Sequence, residues 1–161
     1  MSGLILGLTV VLLAIPVVFV TLSLLVPWPR GAESLLGIIG VLLVVLYAAV
    51  WLLCRPTAFE IGSRHIALVF PLWRREIPRG DVMATSAVEL GHFRERYGCA
   101  VRVGVGGLWG GFGWLWTSRR GFVEMYVSRT DGIVLIERGR GRDLLITPEH
   151  PGDFVTALTP R

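Results

Sequence analysis

A length of 161 residues allows one ordinary domain plus some additional sequence and excludes two soluble domains. The 53% hydrophobic content is too high for an ordinary soluble chain, and the excess is concentrated before Cys54. Arg30 and Glu33 are the only charged side chains up to Cys54, so the net charge of +4 belongs to the remainder. No lysine occurs, which reads first as arginine-biased codon usage and second as selection for guanidinium chemistry.

Leu4 to Val26 is a 23-residue run without a charge, and as a helix it covers roughly 35 Å, enough to cross a hydrocarbon core with some tilt. Leu35 to Leu53 repeats the pattern over 19 residues. Pro16 removes one backbone donor from the first run, a loss that membrane helices tolerate, and a kink is expected there. A cleaved signal peptide fits poorly, because no basic segment precedes Leu4, the apolar run is too long and no small-x-small site follows it.

The connection Pro27 to Ser34 permits only a tight turn, which makes the helices antiparallel neighbours. Trp28 and Trp51 suit the two interfacial levels. One arginine, Arg30, lies in the connection, against Arg55, Arg64, Arg74 and Arg75 after the second span, so both termini are expected in the cytoplasm. The expected organisation is a transmembrane helical hairpin over 1–54 and a cytoplasmic domain over 55–161, a multi-pass protein of the cell inner membrane.

Beyond Phe59 the apolar period changes to two, with Gly, Pro and Asp as punctuation, the pattern of a compact antiparallel β domain. Phe59 to Ile61 and His65 to Phe70 flank a Gly62-Ser63 turn; Arg74 to Ile77, Val82 to Leu90 and Ala100 to Val105 follow. Phe122 to Ser128 and Ile133 to Arg138 bracket Asp131-Gly132, and Asp143 to Ile146 pairs back. After Thr147 to Asp153, the side chains Phe154, Val155 and Leu158 fall on one side of a short terminal helix. About seven strands and one helix require a barrel or bent sandwich with the helix over an open end.

The two N-terminal spans, the Phe59-Glu60-Ile61 and Ile66-Ala67-Leu68 pair, the Arg75-Glu76-Ile77-Pro78 step, the glycine-aromatic run and the closing Ile146-Thr147-Pro148, Pro151, Phe154 and Leu158 resemble the bacterial PH-like domain proteins. The resemblance covers about Phe59 to Leu158. It implies an α+β membrane protein in which the helical hairpin precedes a PH-like seven-stranded β-sandwich or barrel with a C-terminal capping helix. It carries over no phosphoinositide-binding arginine motif.

The segment Gly104 to Trp116 holds six glycines and four aromatic residues. It lacks GxxxxGK[ST], does not meet GxGxxG spacing from Gly104 or Gly111 and precedes no indicated helix, so a phosphate cradle is excluded. Two readings remain: close packing inside the barrel, or a loop that lays Leu108, Trp109, Phe112, Trp114 and Trp116 on the bilayer or a partner. Arginines cluster beside turns, where nearby acids offset them. Arg119 and Arg120 differ, with no acid closer along the chain than Glu124, and they complete the expected contact set as binders of anionic headgroups.

His65, His92 and His150 lie far apart, and Glu89-x-x-His92 needs a helix where the pattern suggests a strand, so no metal site is expected. Cys54 beside Arg55 reads as a small apolar residue rather than an acylation site, and Cys99 reads as core rather than as a nucleophile served by His92. The expected function is that of a non-enzymatic membrane-anchored binding or assembly module without a cofactor. Its expected partners are membrane lipids with anionic headgroups, a membrane protein or further copies of itself, and not nucleic acid. The alternative is a structural accessory subunit of a transport or secretion complex.

Overall fold

The computed structural model describes residues 3–27, 32–88 and 90–158, the side chains of 32, 33 and 90–92 excepted. Two helices, α1 (Gly3–Leu25) and α2 (Ala32–Ala49), come first, and α2 continues as a π turn over Val50–Cys54. Segments Gly3–Leu25 and Ser34–Cys54 are both long and apolar enough to cross a membrane. A helix satisfies its backbone groups internally, which such uncharged runs require in lipid. The helices approach closely at Gly40, where a Cβ would stand 2.8 Å from Val20 Cγ2 and 3.3 Å from Pro16 O. Helix α1 runs through the buried Pro16. The positions expected for Trp28 and Arg30 lie outside the described residues.

The remaining chain folds into two sheets. Strands β1 (Ala58–Ile61), β2 (His65–Val69) and β3 (Arg74–Pro78) form an antiparallel three-stranded sheet. Strands β4 (Val82–Val88), β5 (Ala100–Gly106), β6 (Gly111–Thr117), β7 (Gly121–Val127), β8 (Ile133–Arg138) and β9 (Leu144–Ile146) form the second, in the order β4-β8-β9-β7-β6-β5. Only the β7–β9 pair is parallel among the strand pairs of the described residues. Helix α3 (Leu90–Tyr97) links β4 to β5, and α4 (Pro151–Leu158) closes the domain.

The described residues thus hold nine strands where about seven are expected from the sequence. Gly111–Thr117 is itself a strand, its period of two disguised by glycines at alternate positions. The strand expected over Val82 to Leu90 stops at Val88, and a helix begins at Leu90. The Glu89-x-x-His92 pair falls at this junction, outside the residues whose side chains are described.

The six-stranded sheet is covered on both faces at its centre, which is why Val134–Ile136 and Leu144–Ile146 are apolar without alternation. One face sends Val134, Ile136, Leu144 and Ile146 against Ile66, Leu68 and Ile77 of the small sheet, with Phe154 and Leu158 of α4 closing the layer. The other sends Val123, Met125, Leu135 and Leu145 against Phe93 and Tyr97 of α3. The sheets are also tied by Arg75 of β3 and Glu124 of β7, whose second hydrogen bond runs from Nη2 to Oε1 at 3.1 Å. That bond raises the Arg75 pKa above its ordinary value. At the end of α4, Arg79 Nη2 donates to Ala157 O at 2.6 Å, satisfying a carbonyl with no intrahelical partner.

Candidate functional site

The β5–β6 turn, Gly107-Leu108-Trp109-Gly110, is closed by a hydrogen bond from Gly107 N to Gly110 O at 2.9 Å. Trp109 has φ +57 and Gly107 φ +100, so the turn bends through the left-handed region. Its outer surface lies on α1. The Thr9 hydroxyl accepts from Trp109 N–H at 2.9 Å and shares its own proton between Ile5 O at 2.7 Å and Gly107 O at 3.0 Å. A Cβ on Gly107 would stand 2.9 Å from Leu8 and 3.0 Å from Leu12. The Trp109 ring meets the edge of Trp51 at 4.7 Å between centroids, and Arg55 lies 4.1 Å over that same Trp51.

A second hairpin tip reaches α2. Trp73, stacked on Phe70 at 4.1 Å, donates from Nε1 to Leu53 O at 3.0 Å, and its neighbour Leu72 is exposed. One sheet therefore touches each helix end, and Trp51, Trp73 and Trp109 collect at the junction. Amphipathic indoles suit a boundary between hydrocarbon and water.

Away from the tip, β6 presents an uncovered apolar surface. Val101 lies opposite Trp116, Val103 opposite Trp114, and Trp116 opposite Phe122, so all five side chains share one face. Trp114 is 45% exposed, Trp116 41% and Phe122 46%. This is the face that packs on the small sheet further along; on β6 the same face is buried at Phe112 and exposed at Trp114 and Trp116. The Arg142 guanidinium lies 5.9 Å over Trp114 and 5.8 Å over Phe122.

Residues 59–161 match the family described as bacterial PH domain. The chain belongs to that family. No curated protein and no solved structure matches it.

Within the PH domain the residues expected to form one contact surface are divided. Leu108, 5% exposed, and Phe112, 1% exposed, are buried; Trp109 is half-buried against the helices; Trp114 and Trp116 face outward. The run is thus packed at Leu108 and Phe112 and exposed at Trp114 and Trp116. Arg119 and Arg120 lie at the far end of β6, roughly 20 Å of strand from the docked tip. Arg119 donates to Glu95 O, and Arg120 pairs with Glu137 at 3.4 Å and approaches Asp143 at 3.7 Å. Both acids are distant along the chain and are brought in by β8 and the loop before β9. Arg120 also lies 5.3 Å over Tyr97, whose hydroxyl donates to Asp143 at 3.1 Å. Burial, and then the Asp143 charge, push the Tyr97 phenol well above its ordinary range.

Residues not singled out from sequence include Thr9, Leu72, Trp73 and Phe122. Thr9 had a visible signal, as one of few hydroxyls within an apolar run. Cys99, expected in the core, is exposed just before β5, and Cys54 is half-buried at the end of the π turn. His65 faces Glu76 at 3.5 Å on the small sheet.

Proposed function

We propose that this chain is a membrane-anchored, non-enzymatic PH-domain module of the inner membrane, with both termini in the cytoplasm, and that it docks a membrane-protein partner through Val101, Val103, Trp114, Trp116 and Phe122. The exposed aromatic face carries this reading. A contiguous surface of that kind rimmed by arginine marks an interaction site more often than idle surface. The docked tips support a partner already in the membrane, because they hold the domain against its own helices and leave this face uncovered. An apolar face recognises by excluding water, which fits an assembly role, including that of an accessory subunit.

The test uses full-length protein extracted from its native membranes in mild detergent. Trp114→Ser combined with Trp116→Ser should eliminate a higher-mass species seen for the wild type, while circular dichroism stays unchanged. A wild-type chain that runs as a monomer under these conditions contradicts the reading. The mass of the complex separates a different membrane protein from further copies of this chain. Reporter fusions at Gly31 and Arg161 test the orientation, with the first expected outside and the second inside.

A further inference from the structure

The six-stranded sheet has a second surface, opposite the aromatic one, that α3 covers only in part. Between it and the start of α1 lies a cavity of about 840 Å³. Sites for small organic ligands occupy roughly 300–1,000 Å³. Leu4, Ile5 and Leu8 of α1 form one wall; Leu115, Met125 and Leu145 form the opposing one.

Arg94, Arg102 and Arg129 also line this cavity, and no carboxylate lines it among the described residues. Elsewhere in the domain Arg74, Arg75, Arg96, Arg120 and Arg138 are ion-paired. None of the three cavity arginines forms an ion pair with a described residue. Glycines make room for Arg102: a Cβ at Gly106 would stand 2.8 Å from its Nη1, and one at Gly111 3.3 Å from its Cζ. Arg129 is steadied by Pro148 O and Glu149 O, and its buried Nε has no partner among the described residues.

We propose that this cavity binds one acidic lipid drawn from the bilayer around α1, with an acyl chain along Leu8, Met125 and Leu145 and the anionic headgroup on Arg94, Arg102 and Arg129. The apolar walls distinguish a lipid from a soluble anion, which would leave them unfilled. Guanidinium groups match phosphate oxygens with paired donors, and with no carboxylate among the described lining residues to offset a choline or ethanolamine cation, three arginines favour an acidic lipid over a zwitterionic one. The proposal rests on α1 being a membrane helix, and it involves the sheet face opposite the partner surface.

The test reconstitutes the full chain in vesicles of phosphatidylcholine containing a minor fraction of phosphatidylglycerol and measures, by native mass spectrometry, the lipid retained on the released protein. One phosphatidylglycerol per chain is expected, with Arg94→Gln plus Arg102→Gln lowering retention about thirtyfold. Glycerol phosphate, which has the headgroup and no chain, should not compete. Equal retention of both lipids, or competition by glycerol phosphate, overturns the proposal. Flotation of the vesicles reports membrane anchoring separately, so loss of anchoring is distinguished from loss of the lipid site. Should the arginine variants fail to fold, maleimide labelling of Cys99 in a Cys54→Ser chain decides the matter. Cys99 lines the cavity, so phosphatidylglycerol should slow its reaction relative to phosphatidylcholine alone, and an unchanged rate rejects the lipid.

Discussion

Thr9 and Trp109 meet across 100 residues of chain, the Thr9 hydroxyl accepting the Trp109 N–H at 2.9 Å. Thr9 is buried, and its one oxygen serves both the α1 backbone and the β5–β6 turn. Thr9→Val keeps the side-chain shape and removes the acceptor, leaving a part-buried N–H unpaired at a cost of about 1–3 kcal/mol. Hydrogen exchange in detergent should quicken at the Trp109 amide while the amides of β8 and β9 keep their protection. Unchanged exchange at Trp109 would mean that the turn does not depend on Thr9.

Gly107 provides an independent probe of the same contact. Gly107→Ala puts a methyl group against Leu8 and Leu12 at φ +100, with roughly 1–3 kcal/mol expected from backbone strain alone. Limited proteolysis should then cut within 107–110. Leu8→Ala should restore part of the protection by relieving the clash, while the strain remains.

The Arg75–Glu124 pair holds the two sheets together and is a stability element rather than a contact site. Arg75→Ala leaves the largely buried Glu124 carboxylate without its guanidinium and should cost about 3 kcal/mol, at the lower end for a buried pair because Arg75 is about a third exposed. Replacing both residues by Met and Leu should be nearer neutral. Thermal unfolding of both variants checks the contrast.

The Tyr97 phenol predicts a loss of stability in alkali. Its folded pKa is raised above an unfolded value of about 10, so its contribution is complete below that pH and is lost as pH rises from there through the folded value. Burial raises Tyr126 in the same direction. The phenolate absorbance that disappears in Tyr97→Phe should belong to a titration later than that of free tyrosine. The variant should also flatten the alkaline decline in stability. A titration at the ordinary tyrosine pKa would contradict the burial and the Asp143 hydrogen bond.

The helices and most strands were legible because their signals are local: charge-free runs for α1 and α2, alternation between Gly or Asp turns for the sheets. Strand β6 was obscured because Gly111 and Gly113 occupy positions where a side chain would reveal the period of two. Helix α3 is short and polar, and its Phe93 and Tyr97 make sense only once the sheet face they cover is known. At the candidate site the sequence leaves packing and exposure of the glycine-aromatic run both open, and the split between buried Leu108 and Phe112 and exposed Trp114 and Trp116 depends on the tertiary arrangement. Arg120 had no nearby acid in sequence; Glu137 and Asp143 reach it only through the pairing of β8, β9 and β7. Such long-range pairing leaves no trace in a local window.

The partner face is tested by site-specific photocrosslinking from position 114 in native membranes, using a photoreactive phenylalanine in place of Trp114, with exposed position 72, next to the Trp73 contact with the end of α2, as a comparison. A discrete protein adduct is expected from position 114, to another membrane protein or a second copy of this chain, and lipid adducts from position 72. Lipid adducts alone from position 114 would contradict that expectation, because the exposed face of β5, β6 and β7 would then lie on the bilayer instead of on a partner.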